Sequence, residues 1–446
     1  MLSKLRNTQY LLINFLEAPV LAFILAYFLK FYKDGGDYVF RENKNLAAFI
    51  FMAVIVALFM GLTVSAEEII RDRKILKREK FLNLSRTSYL FSKMAVMFLI
   101  SAIQTFSFVL IANSIFGIKD MFFDYWIMLF SVSCFANMLG LNVSATFSSV
   151  VTIYILIPFL IIPQIILSGV MVKFEDLNPV VTSQNKVPLI GEVMTSRWAF
   201  EGLAVNQFKN NKYQAHFFEV DRAMSEATYK KDLWLQKIND KVAVLEKNKQ
   251  SRNIDEAVVL LKNEFDRETR MNASGILSLE YLSDKMNDAD VKKTKEQLEA
   301  LRKYYVRQYN SAEANKDNVI KSLTDKIGAV GLENLKNECT NESLNDLVLN
   351  KNDLTLVKEN GDELVQRFRP VYMQPDRKSF VRAPLYVSQK SIAGKYYSTW
   401  CVNLAVIWTM SLLLVITLYN ETFKKILGSI GALFERIQNG VTFKKS

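Results

Sequence analysis

AAFIFMAVIVALFMGLTVSA, residues 47–66, runs without a break into EEIIRDRKILKREKFLNLSRTSYLFSK, residues 67–93. The first segment has twenty residues and no charge. As a helix it would be about 30 Å long, the thickness of a bilayer's hydrocarbon core. The second segment carries eight Lys and Arg against four Asp and Glu. A basic loop directly after an apolar span is the mark of the cytoplasmic side. Together the two segments read as a membrane helix leaving the bilayer on its inner face.

Moving outward, further apolar blocks of span length lie at Tyr10–Tyr32, about Tyr89–Phe116, Phe122–Val143, Ser148–Val172 and Tyr397–Tyr419. With Ala47–Ala66 they give six spans. The first block is too long for the apolar region of a cleavable leader and is read as an anchor. The chain is 50% hydrophobic yet 23% charged, and the two kinds of residue segregate into blocks. The net charge of +11 sits mainly in residues 1–9, 66–93 and 421–446, which flank apolar spans. That distribution predicts a lipid bilayer as partner and no nucleic acid. Alternation from the basic 67–93 loop places both termini in the cytoplasm. It places the loop at 33–46, the turn at 117–120 and the long polar block outside. The tail NETFKKILGSIGALFERIQNG, from Asn420, reads as a basic interfacial helix.

The fold class expected is an all-α membrane protein: six transmembrane helices with a mainly helical extracytoplasmic domain inserted between spans five and six. Residues 1–172 form the membrane domain with spans one to five and a cytoplasmic connecting helix at 67–88. Residues 173–395 form the extracytoplasmic domain, with an interfacial or re-entrant helix near 195–208. Residues 396–446 form span six and the tail. Within the polar block, Ala227, Trp234, Ile238, Val242 and Leu245 recur at helical spacing, continued by Ala257–Phe265 and by Leu298, Leu301 and Tyr305. Long helices paired as an antiparallel hairpin are expected there. Short strands or extended chain are expected at 352–390, where alternation and prolines replace helical periodicity.

Enzyme signatures are absent. The sequence has no phosphate-binding G-x-x-x-x-G-K-[ST] loop, no H-E-x-x-H and no G-x-S-x-G. Its one histidine, His216, cannot support a histidine-based triad, and the three cysteines, Cys134, Cys339 and Cys401, form no C-x-x-C pair. No catalytic residue, metal site or cofactor is expected in this chain.

The 67–93 segment resembles the connecting helix of type-2 ATP-binding cassette permeases, in particular the White or G subfamily. Arg78-Glu79, Ser85, Tyr89 and Ser92-Lys93 occupy the places of that family's R-E pair, its serine- and tyrosine-containing turn and the lysine opening span three. TSRWAFEGLAVNQF, residues 195–208, is similar to the family's Y-A-F-E-A-L-x-x-N-E-F segment after span five. The resemblance covers about residues 1–212 and 380–446; the insert between them is much longer than the subfamily's external loop. It implies an exporter permease, with Arg78, Glu79, Ser85, Tyr89 and Lys93 coupling it to an ATPase. The resemblance also implies ATP and Mg on a nucleotide-binding domain supplied elsewhere, fused or separate, and a second membrane half in a homo- or heterodimer. A macrolide-exporter-like permease fits less well, because there the large domain follows the first of four spans. From the residues alone, the basic helix also reads as a plain topology anchor with snorkelling side chains.

Polar residues inside the spans carry two readings each. Glu17, in NFLEAPVL, is either functional or close enough to the inner end to reach water. Asn137, Asn142 and Gln164 either bond helix to helix or line a substrate path. Gly140 and Ala145 permit close helix contact, and Pro158 and Pro163 kink span five. Trp198, Phe200, Leu203 and Phe208 form an apolar face, read as an interfacial helix. The function expected is the transmembrane subunit or half of an ATP-driven exporter of a hydrophobic or amphipathic substrate across the inner membrane. The alternative is a non-transporting membrane scaffold or sensor whose helical domain binds an envelope partner.

Overall fold

The computed structural model describes residues 8–33, 35–79, 85–178, 180, 187–247, 252–272, 276, 288–375 and 383–442. Among them the apolar blocks form α1 (Thr8–Leu29), α2 (Leu46–Ala66), α4 (Arg86–Phe116), α5 (Phe122–Thr146), α6 (Val150–Ile166) and α14 (Thr399–Tyr419). The charged α3 (Glu68–Glu79) follows α2 after a single turn residue. Four stretches are long and apolar enough to cross a membrane: Leu46–Arg73, Arg86–Phe116, Phe122–Thr146 and Thr399–Tyr419. Two further apolar helical stretches are shorter, Asn14–Leu29 and Val150–Ile166. Helix α6 ends six residues before the apolar block does. At 17 residues it spans about 26 Å, short of a ~30 Å hydrocarbon layer. Its stop is physical. Gly169 adopts a positive φ of 76°, and any Cβ there would strike the ring of Phe174.

Helices α2 and α5 form the centre. Gly61 of α2 lies where a Cβ would meet the Ser133 carbonyl oxygen at 2.5 Å and Ala136 Cβ at 2.7 Å. Gly140 of α5 faces Ser65 and the Leu62 carbonyl with the same lack of room. Two hydrogen side chains at reciprocal positions let the backbones approach, the usual source of helix contact where lipid removes the hydrophobic drive. The outer helices are one-sided. On α1, Ala18, Ala22 and Ala26 are fully buried at four-residue spacing, while Phe15, Val20, Phe23, Tyr27 and Phe28 are exposed.

The polar block continues with α7 (Leu189–Glu192), α8 (Thr195–Lys209), α9 (Gln214–Thr228), a π-helical turn at Tyr229–Trp234, α10 (Leu235–Lys247), α11 (Arg252–Asn272), α12 (Asp288–Cys339) and α13 (Glu342–Val348). Instead of a simple hairpin, α10, α11 and the first part of α12 enclose one core. In it Trp234, Ile238 and Val242 meet Leu261, Phe265, Leu298, Leu301 and Tyr305. Helix α12 breaks at Gly328, whose φ of 75° is non-helical. The 352–390 region holds the antiparallel hairpin β1 (Val357–Asn360) and β2 (Glu363–Gln366), while β3 (Gln389–Ile392) and β4 (Lys395–Ser398) form a second hairpin that leads into α14. Residues 376–382 of the Pro-containing stretch lie outside the described residues. The last helix, α15 (Thr422–Thr442), follows α14.

The far end of α12 is fastened to the loops of one end of the bundle. Arg41 pairs with Glu342 at 3.0 Å, Lys119 with Glu338 at 3.0 Å, and Asn341 Nδ2 donates to the carbonyls of Phe40 and Asn43 at 2.8 Å each. The loop at 33–46, the turn after α4 and the polar domain therefore share one end, called here the domain end. Helix α3 and the start of α4 lie at the other.

The tight α2–α5 contact predicts that Gly140→Leu destabilises the fold by about 1–3 kcal/mol or more through overpacking. Gly428→Leu, where a Cβ meets nothing within 4 Å, is neutral to folding. Melting curves of the detergent-solubilised protein measure both. Equal melting temperatures would mean that the two helices are not in close contact.

Candidate functional site

At the end opposite the domain, α3 is held against the bundle by contacts that its own sequence predicts only in part. The first N–H groups of a helix have no internal acceptor. In α3 those of Ile69 and Ile70 donate to Ser144 Oγ of α5, at 3.0 and 3.1 Å. Arg73 donates to the Ala145 carbonyl at 2.9 Å. Lys93 of α4 bridges Glu68 at 3.1 Å and Asp72 at 2.6 Å, and Tyr89 OH donates to the same Asp72 carboxylate at 3.0 Å. Glu68 is 2% exposed and the Lys93 side chain 16%, so this bridge is shielded from water and less screened by salt than a surface pair. Ile69, Leu90, Met94, Met138, Leu141 and Leu418 pack beneath it. On the flank Tyr154 of α6 donates to Glu67 at 2.5 Å, and Arg86 pairs with Glu421 at 2.9 Å, joining α4 to the end of α14.

Of the residues expected to couple, the structure brings Tyr89 and Lys93 together, and both point at α3. Ser85 is the N-cap of α4, its hydroxyl accepting from the Ser88 N–H at 3.5 Å. Arg78 and Glu79 end α3, and their side chains lie outside the described residues. The partners Glu68, Asp72 and Ser144 were not singled out from sequence. Glu68 and Asp72 are four apart, on one helix face, directly after an apolar span, a spacing that marks them as a pair. Ser144 carried no such signal.

The polar residues of the spans fall at helix contacts. Asn137 donates to Ser101 Oγ at 2.8 Å, which also accepts from Ser133, tying α4 to α5. Asn142 donates to the Leu414 carbonyl at 2.9 Å and accepts from Thr417 at 3.0 Å, tying α5 to α14. Gln164 Oε1 accepts the Ser196 N–H at 3.0 Å, satisfying the first turn of α8 as Ser144 does that of α3. Glu17 lies half-buried on α1.

Helix α8 is not laid along a lipid surface. Every residue from Thr195 to Phe208 is buried, Trp198, Phe200 and Phe208 included, against α2, α5, α6 and α14. Its charges are buried with it. Glu201 accepts from Lys390 at 2.6 Å and from Asn403 of α14 at 2.9 Å, and Arg197 pairs with Glu192 at 3.2 Å. Burial pushes the Lys390 ammonium down to about 8, although the Glu201 carboxylate opposes the shift. Burial alone would raise Glu201, but Lys390 and Arg197 outweigh it and hold the carboxyl below its usual range. Among the described residues no group of three or more His, Cys, Asp or Glu is placed to hold a metal ion.

Residues 1–208 match the family described as ABC-2 type transporter. The chain is 26% identical over 182 residues to the ABC transporter G family member STR of Medicago truncatula, covering 41% of this chain and 21% of that protein. It is 24% identical over 217 residues to the ABC transporter G family member STR of Petunia hybrida, covering 48% of this chain and 24% of that protein. The match thus spans under a quarter of either relative's length. The chain is an integral membrane protein with four helical stretches long and apolar enough to cross a membrane, and its residues 1–208 are similar to the ABC-2 type transporter membrane domain.

Two outcomes follow from this geometry. Lys93→Met removes the ammonium shared by Glu68 and Asp72, so hydrogen exchange in a peptide covering 68–79 should quicken at least tenfold; unchanged exchange would show that the bridge does not hold α3. In the α8 cluster, Glu201→Gln leaves Arg197 and Lys390 as neighbouring buried cations, at a cost of about 3–5 kcal/mol. Lys390→Met should cost less, because Glu201 keeps Arg197 as a neighbour at 3.8 Å. The reverse order in melting temperature would mean that Arg197 does not share the carboxylate.

Proposed function

We propose that this chain is the transmembrane subunit or half of an ATP-driven exporter that moves a hydrophobic or amphipathic substrate across the inner membrane. The observation that carries the reading is the fastening of the basic helix α3 to the bundle. One face, with Glu68, Ile69 and Asp72, is locked to α4 and α5. Arg71, on the exposed side, pairs with Glu67 at 3.5 Å, and the sequence of the helix goes on with Lys74 and Arg78. An anchor needs only positive charge near the lipid. A helix fastened to the bundle in this way and basic in sequence can also carry force from an acidic partner surface into α4, α5 and α14.

Permeases of this type work with ATPase subunits, and ATP and Mg belong to that component, whether fused or separate. Two membrane halves, identical or different, would form the transporter. The topology we infer has both termini and α3 in the cytoplasm and the domain of 173–395 outside. The sharing of one end by the loop at 33–46, the turn after α4 and the polar domain supports it, as does the placement of the basic loop at the other end. Residues 195–208 then form a re-entrant helix sealed inside the bundle at its outer end, and Arg78, Glu79, Ser85, Tyr89 and Lys93 belong to the coupling region.

The test is made in the reconstituted complex with its ATPase. Arg78→Glu and Glu79→Gln should each lower substrate-stimulated ATP hydrolysis severalfold, with folding and basal hydrolysis by the isolated ATPase unchanged. Lys358→Glu, in β1 at the other end, should have no effect. Unchanged stimulation in both α3 variants would return the helix to the role of an anchor and favour the scaffold or sensor reading. Labelling of a cysteine at position 75 from outside intact cells would overturn the orientation.

A further inference from the structure

Helix α8 is buried, but the residues that lead into it are not. Leu189 is 71% exposed and Val193 62%, and Ile190 between them is exposed as well. Their depth in the bundle indicates what covers them. Helix α8 begins at Thr195, whose hydroxyl lies 4.0 Å from the Met410 sulfur. Met410 is eleven residues along α14, about 16 Å from the start of that helix at Thr399. One turn further along α8, the Trp198 carbonyl accepts from Asn403, only about 6 Å from the same start. The chain therefore enters α8 near half the length of α14 and rises from there toward the domain end. Helix α14 is long and apolar enough to cross a membrane. Leu189–Glu192 adjoin the deep end of α8, where Trp198 Nε1 donates to the Glu192 carbonyl at 2.7 Å. They sit at the level of the hydrocarbon layer although they belong to the polar block.

The local chemistry suits that depth. A backbone group without a partner is costly where water is excluded. Here the N–H groups of Gly191 and Glu192 donate to the Pro188 carbonyl at 2.9 and 3.1 Å, and that of Met194 donates to the Gly191 carbonyl at 3.1 Å. The Ser196 N–H is taken by Gln164. The one charged residue of the segment, Glu192, pairs with the fully buried Arg197 at 3.2 Å. The large side chains left outside are Leu189, Ile190 and Val193. Position along α6 gives the same answer. Ile162 and Ile166 are exposed just before α6 ends, and the Phe174 ring lies against both Gly169, past that end, and Gly191 of α7. The apolar turn is thus held beside the end of a helix that spans only about 26 Å of a ~30 Å layer.

We propose that Leu189, Ile190 and Val193 form a lip that docks among the acyl chains of the bilayer beside the end of α6. Lipid is the occupant because the lip continues the exposed apolar surface of α6 and supplies it where that helix falls short. The interfacial role that the sequence suggests for 195–208 thus belongs to the turn before it. That the lip enters the outer leaflet rests on the topology proposed above; its insertion into lipid does not.

The test uses the full chain with Cys401→Ser, which removes the exposed native thiol. A nitroxide is attached at Leu189→Cys or Val193→Cys, and the protein is placed in phosphatidylcholine vesicles without any ATPase. Leu412→Cys, exposed on α14, is the reference for lipid, and Leu354→Cys, exposed in the polar domain, is the reference for water. All four positions are exposed, so the label displaces no packed side chain. Collision of the nitroxide with oxygen, which concentrates in hydrocarbon, is divided by its collision with a water-soluble nickel chelate. The ratio at 189 and 193 should match that at 412 and exceed that at 354 at least tenfold. A ratio like that at 354 would place the segment in water and overturn the lip. Little collision with either reagent would overturn it too, by showing protein over these residues, a second copy of the chain included. No ATP hydrolysis is measured, so this outcome is read separately from that of the coupling experiment.

Discussion

The last two turns of α5 determine where most of the membrane part sits. Gly140 brings α2 into backbone contact, Asn142 takes the Leu414 carbonyl of α14, Ser144 caps α3, and the Ala145 carbonyl receives Arg73. These four links occupy six consecutive residues on a helix whose interior is almost wholly buried. Each answers the same constraint. Where water is excluded, a polar group must find its partner in the protein, and such a partner fixes position as well as energy. A hydrophobic contact tolerates sliding; Ser144 shared by two N–H groups does not.

The same solution recurs at the domain end. Helix α8 starts at Met194 without a side-chain cap of its own, and Gln164 of α6 supplies the acceptor. Both short helices that flank the spans are therefore capped from outside themselves. Their positions are set by the bundle and not by local sequence. Helix α14 links the two ends: Asn403 meets Glu201 and the Trp198 carbonyl at one, while Asn142 and the Arg86–Glu421 pair hold the other.

That arrangement explains how much could be read from the sequence. The apolar blocks and the core periodicity of α10 to α12 are legible because they repeat locally: Trp234, Ile238 and Val242 recur every four residues and are all buried. The fastening of α3 was half legible. Tyr89 and Lys93 stood out through their family-like positions, but Asp72 and Ser144 are ordinary in type and acquire their roles only across helix contacts. Lys390 and Glu201 are 189 residues apart, and neither carries a local sign that it is the other's counter-ion. Helix α8 misled in a different way. An apolar face beside charged residues suggests an interface with water or lipid, yet its Arg197 and Glu201 are neutralised inside the protein and the helix is buried all round.

Helix α6 differs from its neighbours in the way it is held. It has 17 residues, two internal prolines and only Ile153, Ile157 and Gln164 buried. Each proline removes a backbone hydrogen bond from the helix interior. Its polar ties are at its ends, Tyr154 to Glu67 near the start and Gln164 to Ser196 near the finish. A helix fastened at both ends and weakened between them bends before its attachments break. Helices α5, α8 and α14, joined by buried polar contacts, and α2, packed on α5 through Gly61 and Gly140, resist such bending. The compliant element among the described helices of the bundle is therefore α6.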